Sequence, residues 1–357
     1  MARKTRKKGV AKPRVLARRK KSKPSARPTP ERVIQFVWGF APTFILDSAV
    51  RLRLFDFLES SPKTVEELAR ETGSSVRGLT ALIEALAGLQ FLKRQGNRYA
   101  LTPESSAFLV SGKPDYHGGF LEHMTRQVIP NWMQLTESVR TGQPATPVNQ
   151  QSEGAEFFAQ FVEGIFPMSY RAAQTLGGHL QFHKLKNPVS VLDIGAGSGV
   201  WGIALAQQSP HVKILAVDWP KVLEVTKRIV ERHGVADRFQ ASPGDLLEAD
   251  FGSGHHLATI GHILHSEGRE RSRRLLKRVF EALAPGGTVA IAEFTANNER
   301  TGPPNALIFS VNMLVHTTEG DTFTFKEMSD WLREAGFRNV RLLDAPAPSP
   351  LVLATKP

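Results

Sequence analysis

Cysteine is absent from the 357 residues. That excludes a disulfide framework, a zinc–thiolate site, an iron–sulfur cluster and a thiol nucleophile. It also fits a reducing compartment. Acidic residues are missing from the first 30 positions, which hold thirteen Lys and Arg between Arg3 and Arg27. Of the 46 basic side chains, the other 33 face 34 Asp and Glu, so the chain beyond the tail carries −1 although the whole carries +12. The basicity belongs to a tail, not to a folded surface. Residues 1–30 also have few large apolar side chains, so they bury too little surface to offset chain entropy and are expected to be disordered. The tail lacks the apolar stretch of a secretory signal. An Arg-rich transit peptide is the alternative, but no amphipathic pattern supports one. Such a segment suits non-specific contact with nucleic acid or anionic surfaces. Elsewhere no run of about 18 apolar residues stands out, so no membrane span is expected, and the chain is read as cytoplasmic.

Hydrophobic residues make up 41% of the chain and charged residues 22%, ordinary values for a globular protein of more than one domain. Four regions follow: the tail at 1–30, a helical domain at 31–114, a helical connector at 115–186 and an α/β domain at 187–357. From Val33 to Phe57 the spacing of Phe36, Phe40, Phe44, Ile45, Ala49, Leu52 and Leu54 predicts a helix with a buried face. Thr64 with Glu67 has capping-box spacing, and Gly73 ends that short helix. A second helix is expected over Ser75–Leu89, then a hairpin around Gly96 and Asn97 within 91–102. Helix, helix, hairpin is the order of a winged helix. The connector is rich in aromatics and reads as helical, with a polar loop from Thr141 to Gly154. From Val189 onward, buried strands alternate with helices, which predicts a mostly parallel sheet covered on both faces. The last two strands are close enough to pair antiparallel at one edge.

The strongest motif is VLDIGAGSG, residues 191–199. A buried strand enters a loop with glycines at 195, 197 and 199, where backbone can turn sharply and approach a ligand. Dinucleotide enzymes use similar loops. Asp193, two residues before Gly195, argues against a pyrophosphate, which it would repel, and for a ligand with an ammonium and a sulfonium. Asp218 ends the second strand, where an acid holds ribose hydroxyls. Asp245 ends the third and is placed to accept a hydrogen bond from an adenine amino group. The plain alternative is that these acids are helix caps and turn residues.

With the DWPKV after the second strand, GDLL, HILH and LAPGG, the chain resembles class I S-adenosylmethionine (SAM) methyltransferases. The likeness is closest to the small-molecule O-methyltransferases of plants and bacteria, and it covers about residues 31–357. It implies a Rossmann-like, seven-stranded domain with an antiparallel C-terminal edge, behind an N-terminal α-helical winged-helix dimerisation domain. It implies a homodimer, SAM as cofactor and a small-molecule acceptor. The cofactor set it implies is Asp193, Gly195, Gly197, Asp218, Trp219, Asp245 and Leu246. Carried over residue by residue, His265 in HILHSEG is the catalytic base and Glu293 in AIAEF the acid that orients it. A surface or helix-capping His is the other reading of His265. The acceptor pocket draws on Trp132, Phe161, Phe166, Met168, Phe309, Asn312 and Met313, which ordinary core packing would explain equally well one at a time. No metal site is expected.

The sequence departs from the family in three places. Ser266-Glu267 stands where the plant enzymes have Asp-Trp. A second His-orienting acid would fall at Thr322, leaving Glu319 or Asp321 as substitutes, and His256 replaces an Asp at the start of the fourth strand. Methylation of carbon or nitrogen by proximity alone therefore stays open. His262 and His255 carry no assigned role. Two further readings compete: a winged-helix DNA-binding regulator and a tail-guided RNA methyltransferase. Against the first, the helix Ser75–Leu89 offers only Arg77 as a cation for phosphate.

Overall fold

The computed structural model describes residues 28–357, so the expected disorder of the basic tail falls largely outside it. Residues up to Ala41 form one unit and Pro42–Pro357 another. The single helix expected over 33–57 is instead three, Glu31–Val37, Ala41–Arg51 and Leu54–Leu58. A turn at Trp38–Phe40 separates the first two, and Arg53 in left-handed backbone (φ 53°) separates the last two. Ala49 and Leu54 are buried as expected, but Phe36, Phe40 and Phe44 are exposed. Periodicity marks an apolar face without saying what covers it. The stretch Glu31–Arg51, with a mean hydropathy of 1.4, is long and apolar enough to cross a membrane by composition, which the sequence reading had not picked out.

Next come β1 (Lys63–Thr64), β2 (Leu92–Gln95) and β3 (Arg98–Leu101), in sheet order β1-β3-β2. The Thr64–Glu67 capping box is complete: the Thr64 side chain accepts from Glu67 N and the Glu67 carboxylate from Thr64 N. Helices Val65–Thr72 and Val76–Gly88 place Leu68, Leu79, Ile83 and Leu86 in a core shared with Phe55 and Tyr99. The hairpin turns on Gly96-Asn97, with Gln95 opposite Arg98.

The connector is helical. Its main elements are Gly118–His123, Ile129–Trp132, Leu135–Thr141, Gln151–Phe161 and Phe166–His179. The α/β domain then supplies β4 (Val189–Ile194), β5 (Val212–Asp218), β6 (Phe239–Pro243), β7 (His255–Gly261), β8 (Leu283–Ala292), β9 (Arg338–Leu343) and β10 (Leu351–Thr355). Their order is β6-β5-β4-β7-β8-β10-β9, all parallel except β10, which runs antiparallel to both neighbours. Alternate residues of β4 feed opposite cores, Val191 one and Leu192 with Ile194 the other. That is why VLDI reads as a continuous apolar run broken only by Asp193. The chain steps outward from β4 to β6 and returns beside β4 as β7. The strand order therefore reverses at β4 and opens a ligand crevice at the strands' carboxyl ends.

Candidate active site

The glycine loop sits at that crevice. Gly195, Gly197 and Gly199 all have left-handed backbone, with φ of 61°, 55° and 74°. A Cβ on Gly195 would lie 2.2 Å from Ile263 Cδ1, so the loop passes too close to its neighbour for a side chain. The loop is pinned to β5: Ala196 N donates to Val217 O (3.1 Å) and Gly197 N to Asp218 Oδ2 (2.8 Å). Asp218 Oδ1 accepts from Trp219 N at 2.7 Å. Burial pushes its carboxyl up to about 6 despite these two bonds.

Asp193 is held differently from the expectation. It is 1% exposed, and its oxygens accept from Thr259 Oγ1 (2.7 Å) and Gly202 N (3.2 Å). It ties β4 to β7 and to the helix Val200–Ala206 beneath the loop and is not part of the cleft wall. Burial, with Asp218 nearby, pushes its carboxyl up to about 7. The wall itself includes Gly195, Gly197, Asp218, Trp219, Asp245 and Leu246, six of the seven expected cofactor residues. The Asp218 and Asp245 carboxyls on the wall, beside a loop that admits no side chain, suit a cationic nucleoside better than a pyrophosphate. The lining could hold SAM: Asp218 offers a carboxylate to ribose hydroxyls, Trp219 and Leu246 offer apolar surface, and the glycine backbone allows close approach.

Sequence reasoning missed three residues on or behind this wall. Trp201 lies against Gly261, where a Cβ would meet its Nε1 at 2.1 Å. Glu267 is buried, and Arg271 bridges it to Asp245. Their i, i+4 spacing was the available signal. His262 lines the cleft with left-handed backbone (φ 62°) and a buried Nδ1 that has no hydrogen-bond partner. Burial pushes its imidazole down to about 4, so it is neutral near pH 7. Its three-residue offset from His265 was the only hint.

His265 follows β7 and Glu293 follows β8, adjacent parallel strands, as expected. His265 Nδ1 lies 2.7 Å from Glu293 Oε2, and His265 N donates to Oε1 at 3.2 Å. Burial works against the Glu293 charge, but the His265 ring and these hydrogen bonds outweigh it and hold the carboxyl low. An ionised carboxylate fixes Nδ1 as the donor and leaves Nε2 bare. The second acid is missing. Thr322 Oγ1 is buried without a partner, and Asp321 is engaged by Arg300 (2.8 and 2.9 Å) and Ser310. Glu319 packs on Gly268 instead of reaching the ring. Ligand atoms of His262, His265 and Glu293 lie within 4.8 Å of one another, close enough to consider a metal, but Glu293 and His265 Nδ1 already satisfy each other.

Of the expected acceptor residues, Phe309 stands beside the base, and Asn312, Met313 and Trp132 lie on or against the same helix. Phe309 meets the His265 ring edge-on at 4.8 Å and stacks on Phe294 at 3.9 Å. On the same helix, Pro304–His316, Asn312 accepts from Trp132 Nε1 at 2.8 Å, and Met313 is buried. Phe161 and Phe166 point elsewhere. They line a second cleft of about 860 Å³, where Phe161 stacks on His123 (3.8 Å) and Phe166 on His233 (5.0 Å). Met168 is half-buried on the helix Phe166–His179 and lines neither cleft.

Comparison with known proteins matches this geometry. An O-methyltransferase domain corresponds to residues 132–338 and an O-methyltransferase dimerisation domain to residues 34–111. The 3-hydroxy-5-methyl-1-naphthoate 3-O-methyltransferase of Streptomyces sahachiroi is 31% identical over 324 residues, covering 89% of this chain and 92% of its own. The N,N-dimethyltransferase OxyT of Streptomyces rimosus is 26% identical over 338 residues, covering 91% and 96%. Human N-acetylserotonin methyltransferase, solved with SAM, has the same fold: TM-score 0.80, 23% identity, 93% of this chain and 99% of that one. With a family domain over more than half its length, this chain belongs to the SAM-dependent O-methyltransferases of the plant and bacterial type.

Proposed function

We propose that this enzyme methylates a hydroxyl of a small aromatic molecule, with His265 as general base. The observation that carries the reading is the 2.7 Å contact of His265 Nδ1 with the buried Glu293 carboxylate. It sets the tautomer, so Nε2 is the acceptor for the hydroxyl proton. As that proton arrives, Glu293 stabilises the imidazolium. SAM, when bound, supplies the electrophilic methyl. Phe309, stacked on Phe294 and edge-on to His265, offers an apolar face for an aromatic ring, and the Trp132–Asn312 pair lies one turn along the same helix. The naphthoate enzyme named above points to hydroxylated fused-ring acids as acceptors. Homodimerisation through residues 34–111 and a cytoplasmic location are part of the same reading.

The test is a mass-spectrometric screen of hydroxynaphthoic acids with SAM, followed by kinetics of His265→Ala. We expect kcat to fall roughly 100- to 10,000-fold with little change in the affinity for S-adenosylhomocysteine, and a chelator to leave the wild-type rate unchanged. A His265→Ala enzyme as fast as wild type would remove the base. N-methylation is the second reading, favoured by the absent second acid at Thr322 and by the relative OxyT. It predicts turnover of arylamines and a rate largely indifferent to His265.

A further inference from the structure

His265 sits at the front of the helix Leu264–Ala282, just before a break. Gly268 has φ 74° and ψ 177°, outside helical geometry, so the turn bearing the base is set off from the rest of the helix. A turn cut off in this way needs partners from elsewhere for its carbonyls. For His265 O the partner is Asp321 N, at 2.9 Å. The two segments interlock closely. A Cβ on Gly268 would lie 2.7 Å from Glu319 O, and one on Gly320 would lie 2.5 Å from His265 O. Residues 319–321 are therefore the shelf on which the backbone of the base rests.

A single carboxylate holds that shelf. Asp321 Oδ1 accepts from Thr322 N (2.7 Å), from Ser310 Oγ and from Arg300 Nη2 (2.8 Å), and Oδ2 accepts from Arg300 Nη2 (2.9 Å). Arg300 Nη1 adds a bond to Thr322 O at 2.7 Å. Arg300 itself takes left-handed backbone (φ 52°), costly for a residue with a side chain, and its N donates to Asn297 O at 3.0 Å. Ser310 is next to Phe309, whose ring meets the His265 ring edge-on at 4.8 Å. Asp321 thus joins the backbone under the base to the helix in front of it. The Arg300 and Asp321 side chains are 37% and 34% exposed, so their pairing contributes little to stability. Geometry at a reacting centre is another matter, since a displacement of about 1 Å can cost on the order of a hundredfold in rate.

We propose that Arg300 and Asp321 are positioning residues that hold His265 in place for proton transfer, through the Asp321 N–His265 O bond and the Ser310 contact. This role rests on His265 being the base, the reading given above, and the two fail on different outcomes.

Nuclear magnetic resonance of the full-length enzyme, isotope-labelled at histidine, reads the Nδ1 proton that His265 shares with Glu293, and its loss in His265→Ala assigns it. Wild type and Arg300→Lys should show a sharp downfield signal. In Arg300→Met it should broaden through faster exchange with water, while Tm and the affinity for S-adenosylhomocysteine stay close to wild type. Kinetics with SAM and 3-hydroxy-1-naphthoic acid give a second readout. Arg300→Met should lower kcat roughly ten- to a hundredfold with little change in KM, and Arg300→Lys should recover most of the loss. In a His265→Ala background, Arg300→Met should cost nothing further. If Arg300→Met fails to fold, Asp321→Asn, which removes the ion pair and keeps an acceptor for Ser310, should behave as Arg300→Met would. A sharp signal and full kcat in Arg300→Met overturn the proposal. So does a kcat loss of the same size with and without His265, which would make the pair a structural one. A wild type without the shared proton, or a His265→Ala enzyme as fast as wild type, would instead unseat the base itself.

Discussion

Asp193, two residues before the glycine turn, and Asp218, bonded to it from the end of β5, do different work. Asp218 holds the loop amide and faces the cleft. Asp193 is sealed below it, and its partner Thr259 is 66 residues away in the chain. No spacing rule could have found that bond, so the sequence put Asp193 against the ligand when the fold puts it under the floor. The same limit hid Arg271 from Asp245, 26 residues earlier. His265 with Glu293 was carried over from the family resemblance, and strand alternation added only that β7 and β8 would bring both to one rim. The state of Asp193 has a measurable consequence. Its carboxyl is raised from an ordinary 3.8 to about 7. Between those values the unfolded chain has released the proton and the folded one keeps it, so this residue's contribution to stability declines as pH rises from about 4 to 7. An Asp193→Asn variant lacks that titration. Its Tm relative to wild type should therefore shift upward as pH is raised through this window, whatever constant cost the lost hydrogen bond imposes. Calorimetric scans of both ligand-free proteins at pH 5 and pH 7.5 test this, and a gap that stays constant would show that Asp193 does not hold its proton.

At the scale of elements, the turn from β4 into the helix Val200–Ala206 was readable because its causes are local: a buried strand, then glycines where φ must be positive. The Thr64 capping box and the Gly96-Asn97 hairpin were readable for the same reason. The long helix predicted over 33–57 was not, since its breaks rest on a turn at Trp38–Phe40 and a left-handed Arg53 that no periodicity announces. Phe161 and Phe166 show a related limit. Aromatic residues at helical spacing look alike whether they line an acceptor pocket, a second cleft or a core. For the glycine turn the structure makes a sharp demand. A Gly195→Ala chain must hold a Cβ at φ 61° and move Ile263 from its position 2.2 Å away. The backbone strain alone is of order 1–3 kcal/mol, and the displaced Ile263 side chain lines the cofactor cleft. We expect a Tm lowered by several degrees and S-adenosylhomocysteine affinity reduced at least tenfold. Unaltered affinity in a calorimetric titration would mean the loop is not the cofactor's cradle.

For the molecule as a whole, the open question is what covers the first apolar helix. Val33 is 66% exposed, Phe36 71% and Trp38 65%, a density of bare apolar surface unusual for a monomer. These residues begin where the match to a dimerisation domain begins, at residue 34. A membrane would also accept them, since Glu31–Arg51 is apolar enough to enter one. The two covers differ in what removing the surface does. In a homodimer, burying three such side chains contributes roughly 1.5–3 kcal/mol each per chain. Because the residues are exposed in the single chain, charged replacements there cost the fold itself little. Phe36→Asp combined with Trp38→Asp should therefore convert a dimer to a monomer at micromolar concentration in sedimentation velocity, with the thermal transition of the α/β domain retained. Wild type should remain dimeric and should not float with neutral phosphatidylcholine vesicles, because the face is already covered. A double variant that stays dimeric would place the interface elsewhere in residues 34–111. A wild type that is monomeric and floats with the vesicles would assign the face to a bilayer.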